Sequence, residues 1–141
     1  MKFQVQVKPA ATDWKDAIAV SAAPLLAEGS ITEEYITAMV ENVIENGSYI
    51  CVAPNIALPH ARSERGALKT AVAVTKLESP VMFPEDKSVS ILICLAAADK
   101  EQHSDALALL SEFFIDDDLM EEAMNTSDPA VIQKIFDNLE E

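Results

Sequence analysis

Val89-Ser90-Ile91-Leu92-Ile93-Cys94-Leu95 is apolar at six of its seven positions. Upstream, Ala71-Val72-Ala73-Val74 is apolar throughout. Runs this uniform, this short and this rich in β-branched residues read as central strands buried on both faces. The spacing places strands at 71–77 and 89–97, with turn chemistry between them at Glu78-Ser79-Pro80 and Phe83-Pro84-Glu85-Asp86. Two shorter strand candidates precede them at 49–52 and 56–58. Phe3-Gln4-Val5-Gln6-Val7 alternates and stops at Pro9, as a short edge strand does.

A sheet buried on both faces needs helices on both faces, and the flanking sequence supplies them. Trp14, Ala17, Ile18, Ser21 and Leu25 recur at helical spacing over 13–28, where Pro24 predicts a kink or a break. Ser30-Ile31-Thr32-Glu33 reads as a capping box opening a second helix, with Tyr35/Ile36, Met39/Val40 and Val43/Ile44 on its apolar face and Gly47 at its end. After the last strand, Gln102 to Phe114 carries Ala106, Leu107, Leu110, Phe113 and Phe114 on one side. Two shorter helices follow at 117–124 and 129–139, the last with Pro129 at its first position. The expected fold is one α/β domain over residues 1–141, a mixed sheet with helices on both faces.

A net charge of −14 leaves no basic stripe to displace phosphate counterions, which rules against nucleic acid, and it disfavours docking on an anionic membrane. Cys51 and Cys94 each lie in an apolar run and read as small buried hydrophobes of a reducing compartment. With no signal peptide and no run of transmembrane length, the expected location is the cytoplasm.

The chain has two histidines. His60 ends the segment Ile56-Ala57-Leu58-Pro59-His60, and Pro59 stiffens the backbone that presents it. His103 lies in Asp99-Lys100-Glu101-Gln102-His103-Ser104, at the start of the helix after the last strand. Ligands of α/β folds gather where strands end, so both imidazoles are expected at one rim of the sheet, as nucleophile or as metal ligand. A zinc site with Cys51 and Cys94 fits poorly, because each cysteine lies most of a strand length from its histidine at roughly 3.3 Å per residue. Arg62 and Arg65 either clamp an anion beside His60 or are surface charge. There is no Gly-rich phosphate loop and no Gly-x-Ser-x-Gly elbow.

Ile56-Ala57-Leu58-Pro59-His60 resembles the signature of enzyme IIA domains in the mannitol–fructose superfamily of the bacterial phosphoenolpyruvate-dependent sugar phosphotransferase system. Tyr35-Ile36-Thr37-Ala38-Met39, Pro80-Val81-Met82-Phe83, the 89–97 strand and the Asp99–His103 segment extend the likeness over residues 10–139. Tyr49 and Pro59-His60-Ala61-Arg62 are most like the ascorbate-type branch. The resemblance implies a phosphoryl carrier in which His60 accepts phosphate from the phosphohistidine of HPr and passes it to an enzyme IIB, the membrane IIC being reached only indirectly. It assigns His103 to hydrogen bonding of the phosphoryl oxygens and Arg62 to a lesser share of the same role, and it needs no cofactor, metal or nucleotide. HPr presents a basic, partly apolar face, which an acidic acceptor would attract. A regulatory module phosphorylated on His60 without sugar flux is the alternative. One departure stands out: where many relatives carry an Arg-Glu pair, this chain reads Val40-Glu41-Asn42-Val43.

Overall fold

The computed structural model describes residues 2–140. Four strands form one sheet in the order β1-β3-β4-β2, with β1 at Phe3–Lys8, β2 at Asn55–Ala57, β3 at Ala71–Phe83 and β4 at Lys87–Ala96. The β3–β4 hairpin is antiparallel, and each outer strand lies parallel to its inner neighbour. The sheet is therefore mixed, with β1 on an edge.

Side chains alternate across the two central strands and build two cores. Ala73, Leu77, Leu92, Cys94 and Ala96 face one core with α1 (Trp14–Ala27) and α2 (Glu33–Asn46). Val72, Val74, Ile91, Ile93 and Leu95 face the other with α3 (Lys100–Phe114), α4 (Asp117–Met124) and α5 (Pro129–Asp137). Two apolar layers explain why the inner strands show no polar face in sequence.

Pro24 does not break α1, which runs through it. A proline has no N–H for the carbonyl four residues back, here that of Val20. The Gln6 side chain on β1 supplies the missing donor, its Nε2 lying 2.9 Å from the Val20 oxygen and 2.8 Å from Thr75 Oγ1. Replacing Gln6 with Met keeps the bulk and removes that donor, so we expect a loss of about 1 kcal/mol of unfolding free energy in urea titration. An unchanged midpoint would show that water serves the Val20 carbonyl equally well.

Five sequence expectations are corrected. Residues 49–52 form a turn rather than a strand: Gly47 ends α2 at φ +80°, and Cys51 N–H bonds the Ser48 carbonyl. The reason is a clip from the hairpin tip, where Glu85 Oε1 accepts from Ser48 N at 2.7 Å and Ser48 Oγ donates to Pro84 O at 2.6 Å. Glu78-Ser79-Pro80 is not a turn but part of β3, in a bulge between Lys76 and Val81 that is tied to the end of β1 by Ser79 N–H on Pro9 O. A bulge tolerates the N–H that Pro80 lacks. The capping box does not form: Thr32 is the N-cap of α2 and makes no side-chain capping bond. Finally, α3 begins at Lys100, two residues early, because Asp99 caps it through Gln102 N–H at 2.8 Å. Ile44 is also 60% exposed, outside the apolar face of α2.

Candidate functional site

The two histidines meet. His60 follows β2 by three residues and His103 sits near the N-terminus of α3, and their ring centroids are 5.6 Å apart at an interplanar angle of 49°. The parallel pairing of β2 with β4 causes this, because both strands then end on the same rim. Both side chains are half-buried.

His60 is held in one orientation. Its Nδ1 lies 2.7 Å from the Leu58 carbonyl oxygen, which can only accept, so Nδ1 carries the proton and the lone pair is on Nε2. Tyr49 packs its ring at 83° to the imidazole, centroids 5.8 Å apart. Backbone bonds fix the approach to this residue: Leu58 N–H to Ile50 O at 2.8 Å, and Leu95 N–H to Pro59 O at 3.0 Å.

The loop beyond His60 is docked by its backbone on the α1–α2 junction, through Thr32 N–H on Gly66 O and Leu68 and Lys69 N–H on Ser30 O. Gly66, at φ +124°, is required there, since a β-carbon would strike the Thr32 hydroxyl. Arg65 leaves the site: it pairs with Glu41 on α2 at 2.7 Å. Arg62 is exposed and forms no ion pair among the described residues. Asn42, in the stretch where the arginine is missing, donates Nδ2 to the His60 carbonyl at 3.2 Å.

His103 is positioned by a polar junction between β4 and α3. Thr70 Oγ1 accepts from Ala98 N–H at 3.0 Å and hydrogen-bonds Gln102 Oε1, the neighbour of His103. Burial, and then the charge of His60, hold the His103 imidazole below its ordinary pKa. The unfolded chain thus binds a proton on His103 more readily than the folded one. That contribution to stability is fully present above the unfolded value of about 6.5 and is lost as pH falls toward the lower folded value. Urea titrations at pH 7.5 and 5.5 should show wild type weakening on acidification more than His103→Gln does. Equal slopes would show that the site does not disfavour the charged ring.

The cysteines do not join the histidines. Cys94 is fully buried, with Sγ 3.8 Å from Met39 Sδ, and burial pushes its thiol up to about 12. Cys51 is only half-buried, against expectation. Among the described residues, no group of three or more His, Cys, Asp and Glu is placed to share a metal ion.

The family model for the phosphoenolpyruvate-dependent sugar phosphotransferase system, EIIA 2, matches residues 2–139. The chain belongs to that family. Among relatives of this EIIA chain, the mannitol-specific cryptic phosphotransferase enzyme IIA component of Escherichia coli K12 is 41% identical over 124 residues, covering 87% of this chain and 84% of the relative. The ascorbate-specific EIIA component of the same strain is 31% identical over 103 residues, covering 72% and 67%. The solution structure of the E. coli mannitol-specific cryptic enzyme IIA CmtB superposes with a TM-score of 0.88 at 38% identity, covering 96% of this chain and 91% of that one. The mannitol IIA of E. coli, solved in complex with phosphorylated mannitol IIB, shares the fold at 22% identity and a TM-score of 0.80, covering 96% and 99%.

Sequence reading missed three site residues. Tyr35 looked like one more residue of an apolar helix face, Asn42 looked like a loss rather than a contact, and Thr70 carried no signal at all. The clues were that Tyr35 opens the Tyr35–Met39 segment that carries the resemblance and that the Asn42 stretch departs from it.

Proposed function

We propose that residues 1–141 act as a single EIIA domain in the cytoplasm, taking a phosphoryl group from phospho-HPr on His60 and delivering it to an enzyme IIB. The observation that carries this reading is the Nδ1 bond of His60 to the Leu58 carbonyl, which leaves Nε2 unprotonated beside a second imidazole. Nε2 attacks phosphorus as the donor's P–N bond breaks, and the bonding pair returns to the donor imidazole. His60 keeps its Nδ1 proton, so the phosphorylated ring is a cation. Onward transfer then expels a neutral imidazole, a far better leaving group than an imidazolate.

Phosphoryl transfer of this kind has a loose transition state, so positioning and charge stabilisation are what the protein contributes. His103, whose imidazole burial and then the charge of His60 hold below its ordinary pKa, donates an N–H to the phosphoryl oxygens. Arg62, exposed and without an ion pair among the described residues, adds positive charge from the other loop. The acidic surface attracts a basic donor. The mannitol IIA that shares this fold is itself found in complex with phosphorylated IIB. No helix is long and apolar enough to cross a membrane among the described residues.

The test is phosphoryl uptake from phosphoenolpyruvate through enzyme I and HPr, read by intact mass. One phosphoryl group gained, then lost on adding an enzyme IIB, supports the carrier. A charged protein that no IIB discharges supports the regulatory alternative. No gain beside an active control IIA refutes both.

A further inference from the structure

β2 and its extension run parallel to β4, and in a parallel ladder the rungs of one residue go to the residues just before and just after its partner. Leu95 N–H takes the first rung, on Pro59 O. The second would be Ala61 N–H on Leu95 O. In its place stands the Tyr35 hydroxyl of α2, which accepts from Ala61 N–H at 3.0 Å and donates to Leu95 O at 2.7 Å. Its single proton goes to that oxygen rather than to the Ala61 oxygen at 3.2 Å. The strands are thus held apart by one oxygen atom directly after His60.

The same helix takes a second hold. Asn42 lies seven residues beyond Tyr35, about two turns along α2 and on the same face. It donates to the His60 carbonyl. His60 C=O and Ala61 N–H are the two ends of a single trans peptide group. Helix α2 therefore grips that one peptide plane from both ends, and the plane's rotation decides where the preceding imidazole stands.

We propose that Tyr35 and Asn42 are positioning residues for phosphoryl transfer, clamping the His60–Ala61 peptide so that His60 keeps its Nδ1 on Leu58 O and its Nε2 open. The proposal rests on His60 as the nucleophile. Tyr35 is fully buried, so its hydroxyl acts through the backbone it bonds, beside His60, and not by touching the phosphoryl donor.

The experiment compares wild type, Tyr35→Phe and Asn42→Ala with two phosphoryl donors. Phospho-HPr reports docking and chemistry together. Phosphoramidate reports chemistry alone: Nε2 forms the new N–P bond and ammonia leaves with the old bonding pair. In Tyr35→Phe the rate with phosphoramidate should fall on the order of tenfold or more, with KM for phospho-HPr unchanged. The ¹⁵N signals of the His60 ring should shift away from the Nδ1–H tautomer. Asn42→Ala should move both readouts in the same direction, and it carries the test if Tyr35→Phe does not fold. Wild-type rates and wild-type ring signals in both variants would overturn the clamp, whatever their melting temperatures. If wild type itself takes no phosphoryl group from either donor, the carrier reading fails. The tautomer signal then still decides the clamp.

Discussion

His60→Ala is expected to take up no phosphoryl group from phospho-HPr, and its intact mass should stay that of the unmodified chain after any incubation. The other histidine cannot replace it. His103 lies on a helix, its backbone N–H bonded to Asp99 O, and among the described residues no carbonyl contact fixes its tautomer as Leu58 O fixes that of His60. His103→Ala should behave differently: still phosphorylated to one group per chain, with uptake slowed by about 10²-fold, the usual effect of removing one donor aimed at developing charge. Full occupancy reached at a wild-type rate would remove His103 from the transfer step. Phosphorylation of His60→Ala would move the nucleophile to His103 and reverse the two roles.

Lys76→Met is expected to destabilise the fold by about 2 kcal/mol, read as a lower urea midpoint with an unchanged slope. Lys76 lies inside β3 and is 6% exposed, an unusual place for a lysine. Its ammonium donates at 2.8 Å to the carbonyls of both Met124 and Thr126, at the end of α4. Helix C-termini leave such carbonyls without partners and carry partial negative charge, so a cation suits the position on both counts. Met preserves the bulk of the stem and removes both bonds. Because the lost contacts lie under the α4–α5 connection, phosphoryl uptake by the folded variant should stay at the wild-type rate. A midpoint equal to wild type would mean that those carbonyls are served by solvent.

The central strands and the paired histidines were legible in sequence for the same reason. Val89–Leu95 is apolar because both of its faces are covered, and that pattern is local. His60 and His103 each follow a strand, and parallel strands share a rim, so order along the chain was enough. What could not be read were contacts between distant residues. The turn at 49–52 resembled a strand because the Glu85 carboxylate that bends it is 37 residues away. Glu78-Ser79-Pro80 resembled a turn because nothing in it reveals that β3 continues as a bulge tied to Pro9. Pro24 reads as a kink or a break because its remedy, Gln6, sits on another element. Tyr35 is the sharpest case: helical period places its ring in the core, as found, and says nothing of an oxygen spliced between two strands.

Among the described residues strand β1 pairs only with β3, about seventy residues later, and α5 packs on it: the Phe3 and Phe136 rings lie tilted with centroids 5.6 Å apart, and Gln133 Nε2 donates to Phe3 O at 2.9 Å. On a ribosome adding roughly 5–20 residues per second, β1 is made before the other three strands of its sheet and is therefore among the last to be sealed. The α1–α2 layer can settle on the β3–β4 hairpin while the opposite layer is still being synthesised, and Phe3 stays uncovered until residue 136 has emerged.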